Sequence, residues 1–150
     1  MRSEHQKRID LFMHHAGQAM PALPCVPSAE VRLLRAALII EEALETIDAL
    51  GFCVETMIND FRQEMTKPIL IAHDRGPNLE QIADGCADLS VVTIGTLSAC
   101  GIDDIPLLAE VDESNLRKFG EGAYKREDGK WMKPPDWQPP DIACVLGTAP

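Results

Sequence analysis

The chain has 150 residues, 45% of them hydrophobic but only 5% aromatic, and a formal net charge of −10. That length suits a single domain (residues 1–150) whose core is built from Leu, Ile, Val, Ala and Met, which favours helices packed on helices. The charge argues against a nucleic acid polymer as partner, because duplex binding needs cations to displace counterions, and it admits a small anionic ligand where a metal supplies positive charge.

A first helix is expected from about Ser3 to Met20, with Ile9, Phe12 and Met13 as its apolar contacts. Pro21, Pro24 and Pro27 then break the pattern. Ser28 is placed to cap a second helix running to Leu50, which Gly51 ends by taking a left-handed conformation. The spacing of Val54, Met57, Ile58 and Phe61 predicts a third helix over about 53–65, followed by a connection with one short strand at Ile69–Ala72. Asn78 and Gln81 stand as N-cap and N3 of a fourth helix that runs to Cys100 and stops at Gly101. It is apolar on most faces, so it belongs at the centre of a bundle or in a dimer interface. Asp103 or Asp104 caps a fifth helix to about Phe119, with Pro106 in its first turn. From Gly120 the chain is rich in Pro, Gly and charge and reads as an irregular tail rather than another helix. The expected fold is all-α, a bundle of about four to five helices that dimerises through the bundle.

Five cysteines without a Cys-x-x-Cys spacing read as reduced thiols. The N-terminal stretch lacks a signal-peptide core, and no apolar run is expected to reach the roughly 18 residues of a membrane span. A cytoplasmic protein without a membrane partner is expected.

The chemistry gathers in "LIIEEALETIDALG", residues 38–51. At 3.6 residues per turn Glu42 and Glu45 share a face, and Glu41 borders the same cleft. Asp84 and Asp88, one turn apart, face alike on the fourth helix. Antiparallel packing of the two helices would bring four or five carboxylates together. Two like charges about 4 Å apart repel by roughly 4 kcal/mol at an effective dielectric of 20, so such a cluster needs raised pKa values or bound cations. Three glutamates on a helix are commonly just a solvated face. Here Leu38, Ile39, Ile40, Ala43, Leu44 and Ile47 surround them on nearly every side, which favours an internal cleft. No Glu-x-x-His pair is present, and His5, His14, His15 and His73 are expected away from these helices. An all-oxygen site suits Mg²⁺, with Mn²⁺ as the alternative, and Mg²⁺ is often completed by substrate phosphates.

At these residues the sequence resembles the all-α nucleoside triphosphate pyrophosphohydrolases, the MazG-like group that includes dimeric dUTPases, dCTP pyrophosphatases and phosphoribosyl-ATP pyrophosphohydrolase. The family signature is Glu-Glu-x-x-Glu, then Glu-x-x-Asp, then Asn-x-x-Lys. "EEALE" (Glu41–Glu45) and "SNLRK" (Ser114–Lys118) match its first and last elements, and "IADGCADLSVVTIGTLSACGIDD" and "REDGKWMKPPDWQPPDI" look like its helix and tail. The resemblance implies Glu42, Glu45 and Asp88 as metal ligands and Glu41 as the group that orients or deprotonates the attacking water. It implies Asn115 and Lys118 on the phosphates, with Lys130 and Lys133 as further candidates. Two departures stand out. Gly85 occupies the position of the family's second-motif glutamate, with Asp84 as the nearest substitute, and Asp112 and Glu113 precede Ser114 where relatives carry His and a basic residue. The implied reaction is Mg²⁺-dependent cleavage of a (deoxy)nucleoside triphosphate to the monophosphate and pyrophosphate, by a homodimer or dimer of dimers. The alternatives are phosphoribosyl-ATP as substrate, or a helical nucleotide-binding or dimerisation module that has lost catalysis. For the base, Trp131, Phe12 and His15 are the candidates, with Trp137, Tyr124 and Asp74 behind them; the alternative for the aromatics is packing on the bundle.

Overall fold

A computed structural model describes residues 1–56, 69–127, 129 and 131–148. The fold is mostly helical, with two small strand pairs. It divides into two compact units, Val26–Thr96 and Met1–Cys25 with Leu97–Pro150.

In the first unit, helix α2 (Ala29–Ala49) starts where the Ser28 side chain accepts from the Val31 N–H. It ends at Leu50, followed by Gly51 with φ +90°. Strand β1 (Phe52–Thr56) pairs antiparallel with β2 (Ile69–Ala72), Phe52 opposite Ala72 and Val54 opposite Leu70, with a register irregularity between Val54 and Thr56. The strand corrects the helix expected from residue 53. Phe, Val and Thr suit a pleated ribbon, and the ladder with β2 supplies the backbone partners that helical spacing alone cannot reveal. The rest of that expected helix, 57–65, lies outside the described residues. Helix α3 (Leu79–Ala99) starts under Asn78, whose Oδ1 accepts from the Glu80 and Gln81 N–H groups at 3.0 and 3.2 Å. By length and composition α3 would serve to cross a membrane, at mean hydropathy 1.2. This corrects the expectation that no apolar run reaches that size: Asp84 and Asp88 interrupt the run without lowering its mean hydropathy below that of a span. A core helix of a soluble protein meets the same test.

In the second unit, helix α1 (Glu4–His15) is capped by Ser3 and buries Gln6, Ile9 and Met13. It stops five residues short of Met20. Gly17, at φ +72°, follows the Ala16 cap, and the Gln18 N–H donates back to the Met13 carbonyl at 3.0 Å, a Schellman stop. Gly101 closes α3 in the same way, with Ile102 N–H on the Leu97 carbonyl. A Cβ at Gly101 would lie 2.4 Å from the Leu23 carbonyl oxygen, so only glycine fits.

Helix α4 (Asp104–Arg117) has Asp103 at its N-cap position, but without a side-chain cap bond. The Asp103 carboxylate is taken instead by Arg2 and the terminal ammonium, which hold it below the usual aspartate range. Asp104, 3% exposed, accepts from the Ser3 N–H at 2.8 Å and from the Ser3 hydroxyl, while its own N–H donates to Gln6 Oε1 at 2.9 Å. Gln6 in turn donates to Ser98 Oγ and the Ile102 carbonyl, and Ser98 donates to Asp10. These bonds tie three helix ends together. The tail is more regular than expected: β3 (Tyr124–Lys125) pairs with β4 (Trp131–Met132), and a short helix α5 (Ile142–Leu146) is capped by Asp141 and stopped by Gly147. All five cysteines are free thiols.

Among the described residues the buried apolar set is small: Ile9, Met13, Ala49, Val92, Ile94 and Ala99. On α2 and α3, Leu33, Leu34, Ile40, Leu44 and Leu79 stay exposed, Leu79 by 81%.

Candidate active site

Helices α2 and α3 come close where Gly85 faces Thr46. A Cβ on Gly85 would lie 2.7 Å from Thr46 Oγ1 and 3.2 Å from its Cα. The Thr46 hydroxyl is turned back to donate to the Glu42 carbonyl at 2.7 Å, the usual way a threonine satisfies itself inside a helix. The acidic positions lie within about one turn of this contact, Glu42 and Glu45 before Thr46 and Asp84 and Asp88 around Gly85.

Glu42 is half-buried, and Glu41, Glu45, Asp84 and Asp88 are exposed. The Glu42 carboxyl is held above the ordinary glutamate range, first by burial and then by the charges of Asp88, Glu45, Glu41 and Asp84. The other four acids singled out in the sequence therefore all act on Glu42. A cavity of about 480 Å³ opens beside them, walled by Leu44, Glu45, Asp48, Ala49, Gln81, Asp84, Gly85 and Asp88.

Sequence reasoning missed two polar residues of this wall. Asp48 follows Glu45 by three residues and Gln81 precedes Asp84 by three, so extending each acidic face by one turn would have found them. Asp48 pairs with Arg75 at 2.6 Å. His73 Nε2 donates to the Asp48 carbonyl at 2.9 Å, and its Nδ1 accepts from the Arg75 N–H at 3.2 Å. That corrects the expectation that every histidine lies away from the acidic helices: the chain turns at Gly51 and returns through β2, setting His73 against the end of α2. Asp74 is exposed and belongs to the turn after His73.

The donor set is all carboxylate oxygen, which suits a hard divalent cation, and the raised Glu42 carboxyl marks negative charge that a cation would relieve. As the side chains stand, no three His, Cys, Asp or Glu among the described residues are gathered in a way that could hold a metal ion. Glu45, Asp84 and Asp88 are exposed and rotatable, so the fit is one of donor chemistry.

The other candidates lie in the second unit. Lys118, at the end of α4, donates to Asn115 Oδ1 at 2.6 Å. Lys133 Nζ lies 3.5 Å from the Trp137 ring centroid and Lys118 Nζ 5.9 Å, so Asn115, Lys118 and Lys133 are brought together. Lys130 lies outside the described residues. Trp131 packs edge-on against Phe119, ring centroids 5.2 Å apart, the packing outcome weighed for the tail aromatics. Phe12 is exposed, and His15 sits beside His14 with ring centroids 6.2 Å apart. Among the described residues neither pairs with the lysines or with Trp137. Tyr124 is exposed in β3. Glu113 pairs with Arg117 at 3.7 Å, and Asp112 is exposed.

A family model described as phosphoribosyl-ATP pyrophosphohydrolase matches residues 9–115. No curated protein matches the chain.

Proposed function

The chain belongs to the phosphoribosyl-ATP pyrophosphohydrolase family, within the MazG-like superfamily, and from that premise we propose that it is a Mg²⁺-dependent nucleoside triphosphate pyrophosphohydrolase that clears surplus or non-canonical nucleotides. Family membership makes it a hydrolase of phosphoric anhydride bonds acting on a nucleotide. The observation that carries the metal dependence is the cluster of four carboxylates pressing on Glu42.

In this reading Glu42, Glu45, Asp84 and Asp88 hold Mg²⁺, or Mn²⁺ in its place. The cation, when bound, neutralises charge on the phosphate oxygens and acidifies a water. Glu41 would orient the attacking water and accept its proton as the water attacks phosphorus. Lys118 takes up charge on the departing pyrophosphate, and Asn115, Lys130 and Lys133 hold phosphate oxygens in register. Trp131, Phe12 and His15 are the residues proposed for the base. The work is positioning and electrostatics, which a small helical scaffold supplies. The exposed apolar residues of α2 and α3 support assembly as a homodimer, or a dimer of dimers, with no nucleic acid polymer or membrane as partner; free thiols support a cytoplasmic setting.

Phosphoribosyl-ATP is the second reading, favoured by the description of the matching family model. Pyrophosphate release from a panel of ribo- and deoxynucleoside triphosphates and phosphoribosyl-ATP, with Mg²⁺ or Mn²⁺, separates the two. Release from a triphosphate, abolished in a folded Glu42→Ala variant, supports the first reading. Release from phosphoribosyl-ATP alone supports the second. Full turnover by Glu42→Ala would overturn the metal-ligand assignment.

A further inference from the structure

Two lysines from separate stretches of chain end over one indole. Lys118 comes from the end of α4, and Lys133 from the segment after β4. The ring between them is fixed: Trp137 Nε1 donates to the Ser114 carbonyl at 3.0 Å, and its backbone N–H donates to the Pro134 carbonyl at 3.1 Å. Ser114 is buried at 1% exposure and donates its hydroxyl to the Gln138 carbonyl at 3.3 Å. The tail is thus bonded to α4 at Trp137 and again one residue later.

Each ammonium is attracted to the ring face, but the two repel each other. Salt bridges elsewhere engage Arg2, Lys7, Arg75 and Arg117, whereas neither Lys118 nor Lys133 pairs with a carboxylate among the described residues. In a chain of net charge −10 carboxylates are plentiful, so two ammonium groups over one indole, with no carboxylate partner among the described residues, describe a receptor for an anion. Asn115 Oδ1 is taken by Lys118, which leaves the amide NH₂ as a third donor beside them. A polyphosphate, with several oxygens on one flexible anion, matches that set.

We propose that Trp137 is a positioning residue for phosphate recognition: its indole holds Lys118 and Lys133 as a pair for a polyphosphate anion and does not stack on the nucleobase. This deepens the reading above, on which the phosphate roles of Asn115, Lys118 and Lys133 rest. At 3.5 Å from the centroid, Lys133 occupies an indole face that a stacked base would need.

The test has a binding arm and a kinetic arm. In a Trp131→Phe background Trp137 is the only tryptophan, and its fluorescence is followed as inorganic pyrophosphate is added with Mg²⁺. A saturable change, weakened on the order of tenfold by Lys133→Ala, is expected. No change, or one that Lys118→Ala and Lys133→Ala both leave intact, overturns the proposal. In the kinetic arm Trp137→Leu raises KM about tenfold for every substrate turned over, with kcat within about twofold and the order of preference among bases kept. Trp137→Phe, which keeps a ring face, recovers most of that loss and covers the case in which the leucine variant fails to fold. A KM that changes for some bases and not others makes Trp137 a stacking residue and overturns the proposal. Absence of wild-type turnover on every substrate would defeat the function proposed above, and the pyrophosphate titration would still decide the role of Trp137.

Discussion

Replacing Gly85 with alanine sets two known effects against each other. Alanine inside a helix gains about 1 kcal/mol over glycine, through the unfolded chain's lower entropy. Against this, the new Cβ would lie 2.7 Å from Thr46 Oγ1 and 3.2 Å from Thr46 Cα. The threonine side chain is short, buried and bonded to the Glu42 carbonyl, so it cannot swing aside; α2 and α3 must part by several tenths of an ångström. Overpacking of this size costs roughly 1–3 kcal/mol, which leaves a net loss of about 1 kcal/mol. For a chain of this length that lowers Tm by about 2–4 °C. Thermal and urea unfolding followed by circular dichroism measures it. Thr46→Ala removes the closest atom, and in that background Gly85→Ala should become neutral or stabilising, a coupling of about 1 kcal/mol in a double-mutant cycle. A Gly85→Ala protein more stable than wild type, with no coupling to Thr46, would refute the close contact. It would also mean that position 85 has room for a side chain with the helices at this separation.

Glu42→Gln should stabilise the metal-free protein at neutral pH. A carboxyl whose folded pKa is raised contributes stability that is present below the unfolded pKa and lost as pH rises through the folded one, so the wild-type Tm should fall over that interval while the glutamine variant stays flat. Asp104 has the opposite sign: burial pushes its pKa up, but the bonds from Ser3, together with the backbone N–H groups of Ile105 and of Asp104 itself, outweigh this and hold it low, so its contribution is present above the usual aspartate pKa and lost as pH falls through the folded value. Asp104→Ala leaves the Ser3 donors unmatched and should cost about 1–3 kcal/mol at neutral pH, with a shallower acid limb in a Tm-against-pH series. Mg²⁺ at a hundred times its Kd adds about 2.7 kcal/mol and should raise Tm by roughly 5–11 °C, an effect chelation reverses and Glu42→Gln reduces. A Tm indifferent to Mg²⁺ and Mn²⁺ would count against the metal role of the cluster.

What could be read from the sequence was local. Ser28, Asn78, Gly51 and Gly101 mark the ends of α2 and α3 by side-chain and backbone chemistry within a few residues, and the structure puts those ends there. The acids on α2 and α3 were legible for the same reason, since one turn of helix fixes which of them share a face. What failed depended on partners far along the chain. The run from Cys53 has helical spacing, yet its pairing with Ile69–Ala72 decides for strand. Asp103 looks like a cap, but Arg2 and the terminal ammonium, about a hundred residues away, claim its carboxylate. The meeting of Lys118 with Lys133 rests on Trp137 folding back onto Ser114, which no local pattern announces. Gly17 was a different failure: a local stop signal overlooked in favour of a longer apolar pattern.

The hydrogen bonds of His73 also bear on metal selectivity. One ring nitrogen is engaged by the Asp48 carbonyl and the other by the Arg75 amide, so the imidazole bonded to the end of α2 has no lone pair to spare for coordination. Zinc and copper gain much of their advantage over magnesium from nitrogen and sulfur donors, and the acidic cluster offers them oxygen alone. A cluster built this way discriminates weakly by intrinsic affinity and leans on abundance, so the far larger cellular supply of magnesium, rather than the protein, would decide which ion it carries.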